Sequence, residues 1–378
     1  MNNLNRFSKS HEEWFYYLMN KDNPLMEFKI IGDFGSYTIH EIKRFSDLLP
    51  YGFKSIHEWV INRQAPKHRK YIDRLFKLCQ INNIKDFISI TYGLSLNDTF
   101  WVKPKDSKLS WSQVSLHRND FNESIAHLAF DGEGINGLEV TTTSPEFGTD
   151  GSYAKCWVKN NNGIYLLKRG SKGFANSGLE PYSEFYTSQL AKELCESYVD
   201  YNLMNYHNEL ASSCRLFSDE NTGYTPIVNL LGINSTVTEI INYFDSIGSG
   251  ELFRSMIVLD GISLNQDRHL KNYGVLFDND TLEIKGMAPV FDNNMSLLPF
   301  AMNDDFDNLE GYLMDKGPKF GSNWIEIASY CLTPRLKRIL KNLKGFRFSP
   351  HLEFNLLNER INMLNKIVNS QINKILSY

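Results

Sequence analysis

Cysteine is scarce and scattered. The five, Cys79, Cys156, Cys195, Cys214 and Cys331, are odd in number, far apart, and form no C-x-x-C pair. That argues against a disulfide framework or a zinc site and for a reducing compartment. No apolar run approaches the ~20 residues that span a bilayer. The opening MNNLNRFSKSHEEWF lacks the apolar core of a secretory signal. A soluble, cytoplasmic protein is the expectation. Positive charge is not in excess: 40 Lys and Arg against 44 Asp and Glu give a net charge of −4. Bulk charge therefore does not draw the chain to nucleic acid, and no direct nucleic-acid binding is expected. Internal repeats and low-complexity blocks are missing too.

What is there suffices for a large core: 378 residues, 42% hydrophobic and 13% aromatic, which bounds the chain at one to three domains. Residues 1–140 read as a mixed α/β region of unassigned role. The stretch DFGSYTIHEIKRFSDLLPYGF suggests a strand, then a short helix ended by Pro50 and Gly52. SIHEWVINRQAPKHRKYIDRLFKLCQI reads as helix on both sides of Pro66, whose ring breaks it. The basic cluster there, from Arg63 to Lys77, reads as a solvated helix face. TYGLSLNDTFWVKP and LSWSQVSL read as short strands or packed loops.

From Gly148 the pattern becomes loop, strand, turn, strand. The turn NNNG, Asn160 to Gly163, has hairpin chemistry. EPYSEFYTSQLAKELCES follows as a helix, with Pro181 in its first turn and Tyr186, Leu190 and Leu194 four apart. ASSCRLF suggests a further strand. The chain closes on a helix with Leu357, Ile361, Leu364, Val368, Ile372 and Ile375 along one face.

The chemistry concentrates in LNQDRHLKNYGVLFD, Leu264 to Asp278, and in APVFDNN, Ala288 to Asn294. Asp267 and Asn272 are five apart, which on a helix would turn them about 140° from each other. Joint chemistry therefore demands a loop. A hairpin from Tyr273 onward returns to its starting end, bringing Asp292 beside Asn272. An oxygen-only set of this kind suits Mg²⁺. Phosphoryl transfer needs one carboxylate for the acceptor hydroxyl, an amide and a second carboxylate for metal, a strand lysine, a helix glutamate and a glycine loop. Lys168, Glu184, Gly148 and Gly151 stand upstream in the right order.

The motif Asp267-Arg268-His269-Leu270-Lys271-Asn272, followed by a metal aspartate in VFD, resembles the HipA-like serine/threonine kinases. So do GSYAK, YLLK and SEFYTSQLAKEL upstream. The resemblance implies a mixed α/β (α+β), atypical protein-kinase-like bilobal fold. A β-rich N-lobe would occupy residues 141–218 and a helical C-lobe residues 219–378, after the extra N-terminal region 1–140. It implies Asp267 as catalytic residue, Asn272 and Asp292 as Mg²⁺ ligands, and Lys168 as the ATP lysine paired with Glu184. Lys155, Gly148, Gly151 and Ser152 would serve the glycine loop, and Cys214, Arg215 and Phe217 the adenine. ATP and Mg²⁺ are the implied cofactors, with a protein hydroxyl as acceptor. Autophosphorylation at Ser152, Thr149 or Ser144 and an antitoxin-type inhibitor partner are implied by the family alone. A small-molecule or lipid kinase is the alternative, although the D-F-G of phosphoinositide-type kinases stands here as Asp292-Asn293-Asn294. A non-catalytic nucleotide-binding interaction module is the other.

Overall fold

Strand-forming residues cluster in three places, and each becomes an antiparallel sheet. The computed structural model describes residues 12–33, 36–132, 144–173 and 176–378. The first sheet joins β1 (Glu12–Asn20), β2 (Asn23–Asp33), β3 (Ser36–Arg44) and β4 (Phe100–Pro104) in the order β3-β2-β1-β4. Alternation sends Tyr16 and Leu18 of β1, with Phe28 and Ile30 of β2, into the core.

The short helix expected before Pro50 is absent; residues 45–54 run as loop and turn. Phe45 and Ser46 both donate their N–H to Leu25 O, at 2.8 and 3.2 Å, which holds the chain against β2. Ser46 Oγ then accepts from Leu48 N at 3.1 Å, a local bond that competes with helix formation. Helices do form on either side of Pro66, at Ile56–Asn62 and Ile72–Leu78. Ser55 caps the first by accepting from Glu58 N at 3.1 Å. LSWSQVSL contains a short helix, Trp111–Val114.

The second sheet joins β5 (Lys155–Asn160), β6 (Gly163–Arg169), β7 (Tyr201–Tyr206) and β8 (Glu209–Arg215) in the order β5-β6-β8-β7. The helix Glu180–Leu194 lies between β6 and β7 in the chain. The third joins β9 (Thr222–Pro226), β10 (Gly274–Asp278) and β11 (Ile284–Met287) in the order β11-β10-β9. Helices Val237–Ser246, Gly250–Ser263, Trp324–Tyr330 and Pro334–Asn342 pack with the closing helix Asn358–Ser377 around one large core. Leu364, Val368, Ile372 and Ile375 are buried there, while Leu357, just ahead of the helix, is exposed. No helix among the described residues is long and apolar enough to cross a membrane.

By its contacts the chain divides into two units. The first holds the residues up to Ser152 together with Asn279–Thr281, the tip of the β10–β11 hairpin; the second holds Tyr153–Asp278 and Leu282–Tyr378. Within the first unit Asn20 Nδ2 donates to Asn279 O at 2.6 Å, and Lys21 pairs with Asp280 at 2.6 Å. The described part of 141–152, read from sequence as nucleotide lobe, makes its contacts in the first unit. The second sheet and the helical core share the second unit.

Candidate active site

Alternation along β6 puts Leu166 and Lys168 on one face. Lys168 Nζ donates to Glu184 Oε1 at 2.7 Å and to Asp292 Oδ1 at 2.6 Å. Lys168 and Glu184 side chains are 10% and 1% exposed, so this three-group cluster sits largely out of water. Glu184 Oε2 accepts from Asn293 N at 2.9 Å. Asp292 adopts φ +59°, a left-handed conformation that Asp tolerates better than most side chains. Its N–H donates to Tyr201 Oη at 3.1 Å.

The charges hold one another in place. Burial penalises the Lys168 ammonium, but Asp292 and Glu184 outweigh it and raise its pKa well above the ordinary value. Burial would likewise raise Asp292; Lys168, then Lys155, overcome it and hold the carboxyl at about 2. Lys155 is buried and stands opposite Lys168 in the β5–β6 ladder.

The loop carrying Asp267 begins where Leu264, at φ +55°, ends the helix Gly250–Ser263. Asn265 Oδ1 accepts from Asp267 N at 3.0 Å, and Asn265 Nδ2 donates to Asp260 Oδ1 at 2.9 Å. Asn272 Nδ2 donates to Asp267 O at 2.9 Å, so the loop joins residues that a helix would separate. Among the described residues no hydrogen bond takes the Asn272 Oδ1 or the Asp267 carboxylate. Both stay available for a metal and an acceptor hydroxyl. Burial raises the Asp267 pKa from its ordinary value; His269 works against the shift and Asp292 adds to it.

Arg268 received no role from the sequence, yet it ties the site together. Its guanidinium is almost fully buried, with Nε on Asp260 Oδ2 at 2.9 Å and Nη2 on Asp260 Oδ1 at 3.0 Å. Nη1 donates to Asn272 O at 3.2 Å and to Phe291 O, and Nη2 donates to Asn293 Oδ1 at 2.6 Å. It thus holds the Asp267–Asn272 loop to the Asp292 loop. Asp260 gave a readable signal, an acid inside the apolar run FRSMIVLDGI, which a buried helix tolerates only with a cation. Tyr201 gave none.

Cys214 is buried with Val199 and Tyr201, and Leu166, Phe217 and Phe291 pack against them; burial pushes its thiol up to about 12. Phe217, Tyr224 and Phe291 form an aromatic trio with centroids 5.3–5.6 Å apart. Arg215 does not join them. It is exposed and lies over the hairpin turn, where a Cβ built on Gly163 would stand 3.1 Å from its Nε. Alternation after Cys214 sends its side chain to the opposite face of β8.

Gly148 ends a 3₁₀ turn, Pro145–Gly148, where a Cβ would meet Arg63 O at 3.0 Å and Leu94 O at 3.4 Å. Its lack of a side chain serves close packing in the first unit. Thr149 Oγ1 donates to Pro145 O at 2.8 Å, Arg69 donates to Glu146 O, and Lys70 N donates to Ser152 O at 3.0 Å. Gly151 turns at φ +93°. Ser144 is buried and Ser152 exposed.

No protein-family model matches the sequence, and no curated protein matches it. Solved structures do. HipA of Shewanella oneidensis MR-1, from a toxin–antitoxin complex with HipB and operator DNA, aligns over 96% of this chain and 99% of its own. The identity is 12% and the TM-score 0.53. The proinflammatory kinase CtkA of Helicobacter pylori aligns over 59% of this chain and 91% of its own, at 17% identity and a TM-score of 0.44. The chain is similar in fold to the HipA-type kinases, an α+β, kinase-like bilobal architecture.

Proposed function

We propose that the chain is an ATP- and Mg²⁺-dependent serine/threonine protein kinase of HipA-like type. The observation that carries this reading is Lys168, held at 2.7 Å from Glu184 and 2.6 Å from Asp292, on a loop that Arg268 clasps to the one bearing Asp267 and Asn272. The donor set fits the group it would hold. Asp292 and Asn272 offer oxygen to a magnesium ion, and Lys168 with Lys155 offers positive charge to phosphates. The ion would neutralise charge on the transferred phosphoryl group.

In this reading the chain's own residues do the following. Glu184 keeps Lys168 pointed along the face of β6. Asp267, its carboxylate unspent and its pKa raised by burial, orients the acceptor hydroxyl and takes its proton. Leu166, Cys214, Phe217 and Phe291 offer an apolar, aromatic surface to the base. Of the glycine-loop hydroxyls, exposed Ser152 is the better autophosphorylation candidate, since Thr149 Oγ1 is spent on Pro145 O. We propose the cytoplasm as its place of action, its five cysteines free and buried. The HipA neighbour was solved with HipB, so an antitoxin-type inhibitor is the partner we propose for a toxin-type kinase. The same structure holds operator DNA, and the expectation from net charge of no direct nucleic-acid binding has no support.

The test is to incubate the protein with γ-labelled ATP and Mg²⁺, alone and with a cell lysate, and to follow label into protein, lipid and small-molecule fractions. Label in phosphoserine or phosphothreonine supports the reading. Label only in lipid or small molecules replaces it with the alternative kinase class.

A further inference from the structure

Asn293 is where two buried ion pairs meet. Its backbone N–H donates to Glu184 Oε2 at 2.9 Å, and its Oδ1 accepts from Arg268 Nη2 at 2.6 Å. Glu184 holds Lys168 on one side; Asp260 holds Arg268 on the other. A line of contacts therefore runs Lys168, Glu184, Asn293, Arg268, Asp260, from β6 to the helix Gly250–Ser263. Asp292 is the preceding residue, left-handed, with its carboxylate on Lys168.

Asn293 is wholly buried, yet its Nδ2 finds no acceptor among the described residues. A buried amide with half its hydrogen bonding unmet is costly. The half in use is the oxygen, which accepts from Arg268. That contact matters because the same guanidinium grips Asn272 O and Phe291 O. Without Oδ1, one Nη2–H of Arg268 is left buried and unpaired, and the loop bearing Asp292 keeps only the Phe291 O contact of the two that tie it to Arg268.

We propose that Asn293 is a positioning residue which fixes Asp292 relative to Asn272, its backbone on Glu184 and its side chain on Arg268, and so sets the affinity of the site for a divalent cation. This rests on the kinase reading above. Residues that orient metal ligands from behind change metal affinity by about 10–100-fold when removed.

The test compares wild type, Asn293→Ala and Asn293→Asp, which keeps an oxygen for Arg268. Mn²⁺ is the probe, its binding followed by electron paramagnetic resonance with a non-hydrolysable ATP analogue present. Amide hydrogen exchange at Asp292 and Asn293 is followed in metal-free protein. Asn293→Ala should raise the Mn²⁺ Kd about tenfold or more and speed exchange, at temperatures well below its melt; Asn293→Asp should restore both. If Asn293→Ala does not fold, Asn293→Ser replaces it with the same expected loss. A folded variant lacking the oxygen that binds Mn²⁺ as wild type does overturns the inference and leaves the kinase reading standing. Wild type that binds no Mn²⁺ with the analogue overturns both.

Discussion

Lys168 Nζ stands 2.6 Å from Asp292 Oδ1 across 124 positions of sequence, joining β6 to the loop that follows the β10–β11 hairpin. Glu184 shares the same ammonium from the helix Glu180–Leu194. Truncating the lysine strands two carboxylates in a site built to be dry. Lys168→Met should therefore cost about 3–5 kcal/mol of stability and abolish nucleotide binding. Urea unfolding and calorimetric titration with an ATP analogue check the two effects.

Asp267 is held by backbone contacts and leaves its carboxylate unspent. Asp267→Asn keeps the size and the Asn265 contact while removing the base. Phosphoryl transfer should fall about 10²–10⁴-fold, with the Kd for the analogue unchanged within error. A loss of nucleotide affinity equal to the loss of rate would reassign Asp267 to binding.

The carboxyl of Asp292 gives a pH signature in metal-free buffer. Its folded pKa, about 2, lies below its ordinary 3.8. A depressed carboxyl adds stability that is fully present above the unfolded value and is lost as pH falls through the folded one. Between about pH 4 and pH 2, wild type should lose about 2 kcal/mol more than Asp292→Asn. Parallel denaturation series at steps of pH measure the difference; identical slopes would show that Lys168 does not depress this carboxyl.

Gly148 separates packing from phosphate binding. A Cβ there would press on Arg63 O and Leu94 O at 3.0 and 3.4 Å. Gly148→Ala should lower stability by about 1–3 kcal/mol and leave the affinity for the ATP analogue intact. Unchanged melting with weakened nucleotide binding would return Gly148 to the glycine-loop role.

The parts legible in sequence were those that local pattern dictates. Period-two alternation put Lys168 on a face with Leu166, and the helix after it delivers Glu184. A five-residue spacing forced Asp267 and Asn272 into a loop. What stayed hidden depends on long-range partners. Nothing in the sequence around Gly148 shows that the carbonyls of Arg63 and Leu94 stand beside it. Arg215 follows Cys214 in a strand whose inward face the sequence leaves open. The helix expected before Pro50 lost to Leu25 O, a partner on another strand. Asn293 reads as one more polar loop residue, because Arg268 and Glu184 reach it from 25 and 109 positions away.

The most direct test of the account is Mg²⁺-dependent loss of the γ-phosphoryl group from labelled ATP in a single turnover, with wild type, Asp267→Asn and Asp292→Asn side by side. Wild type should turn over and chelation should stop it; Asp267→Asn should be about 10²–10⁴-fold slower while still binding the nucleotide, and Asp292→Asn should show no Mg²⁺-dependent turnover. Turnover by both variants at the wild-type rate, or no nucleotide binding by wild type at all, would contradict it.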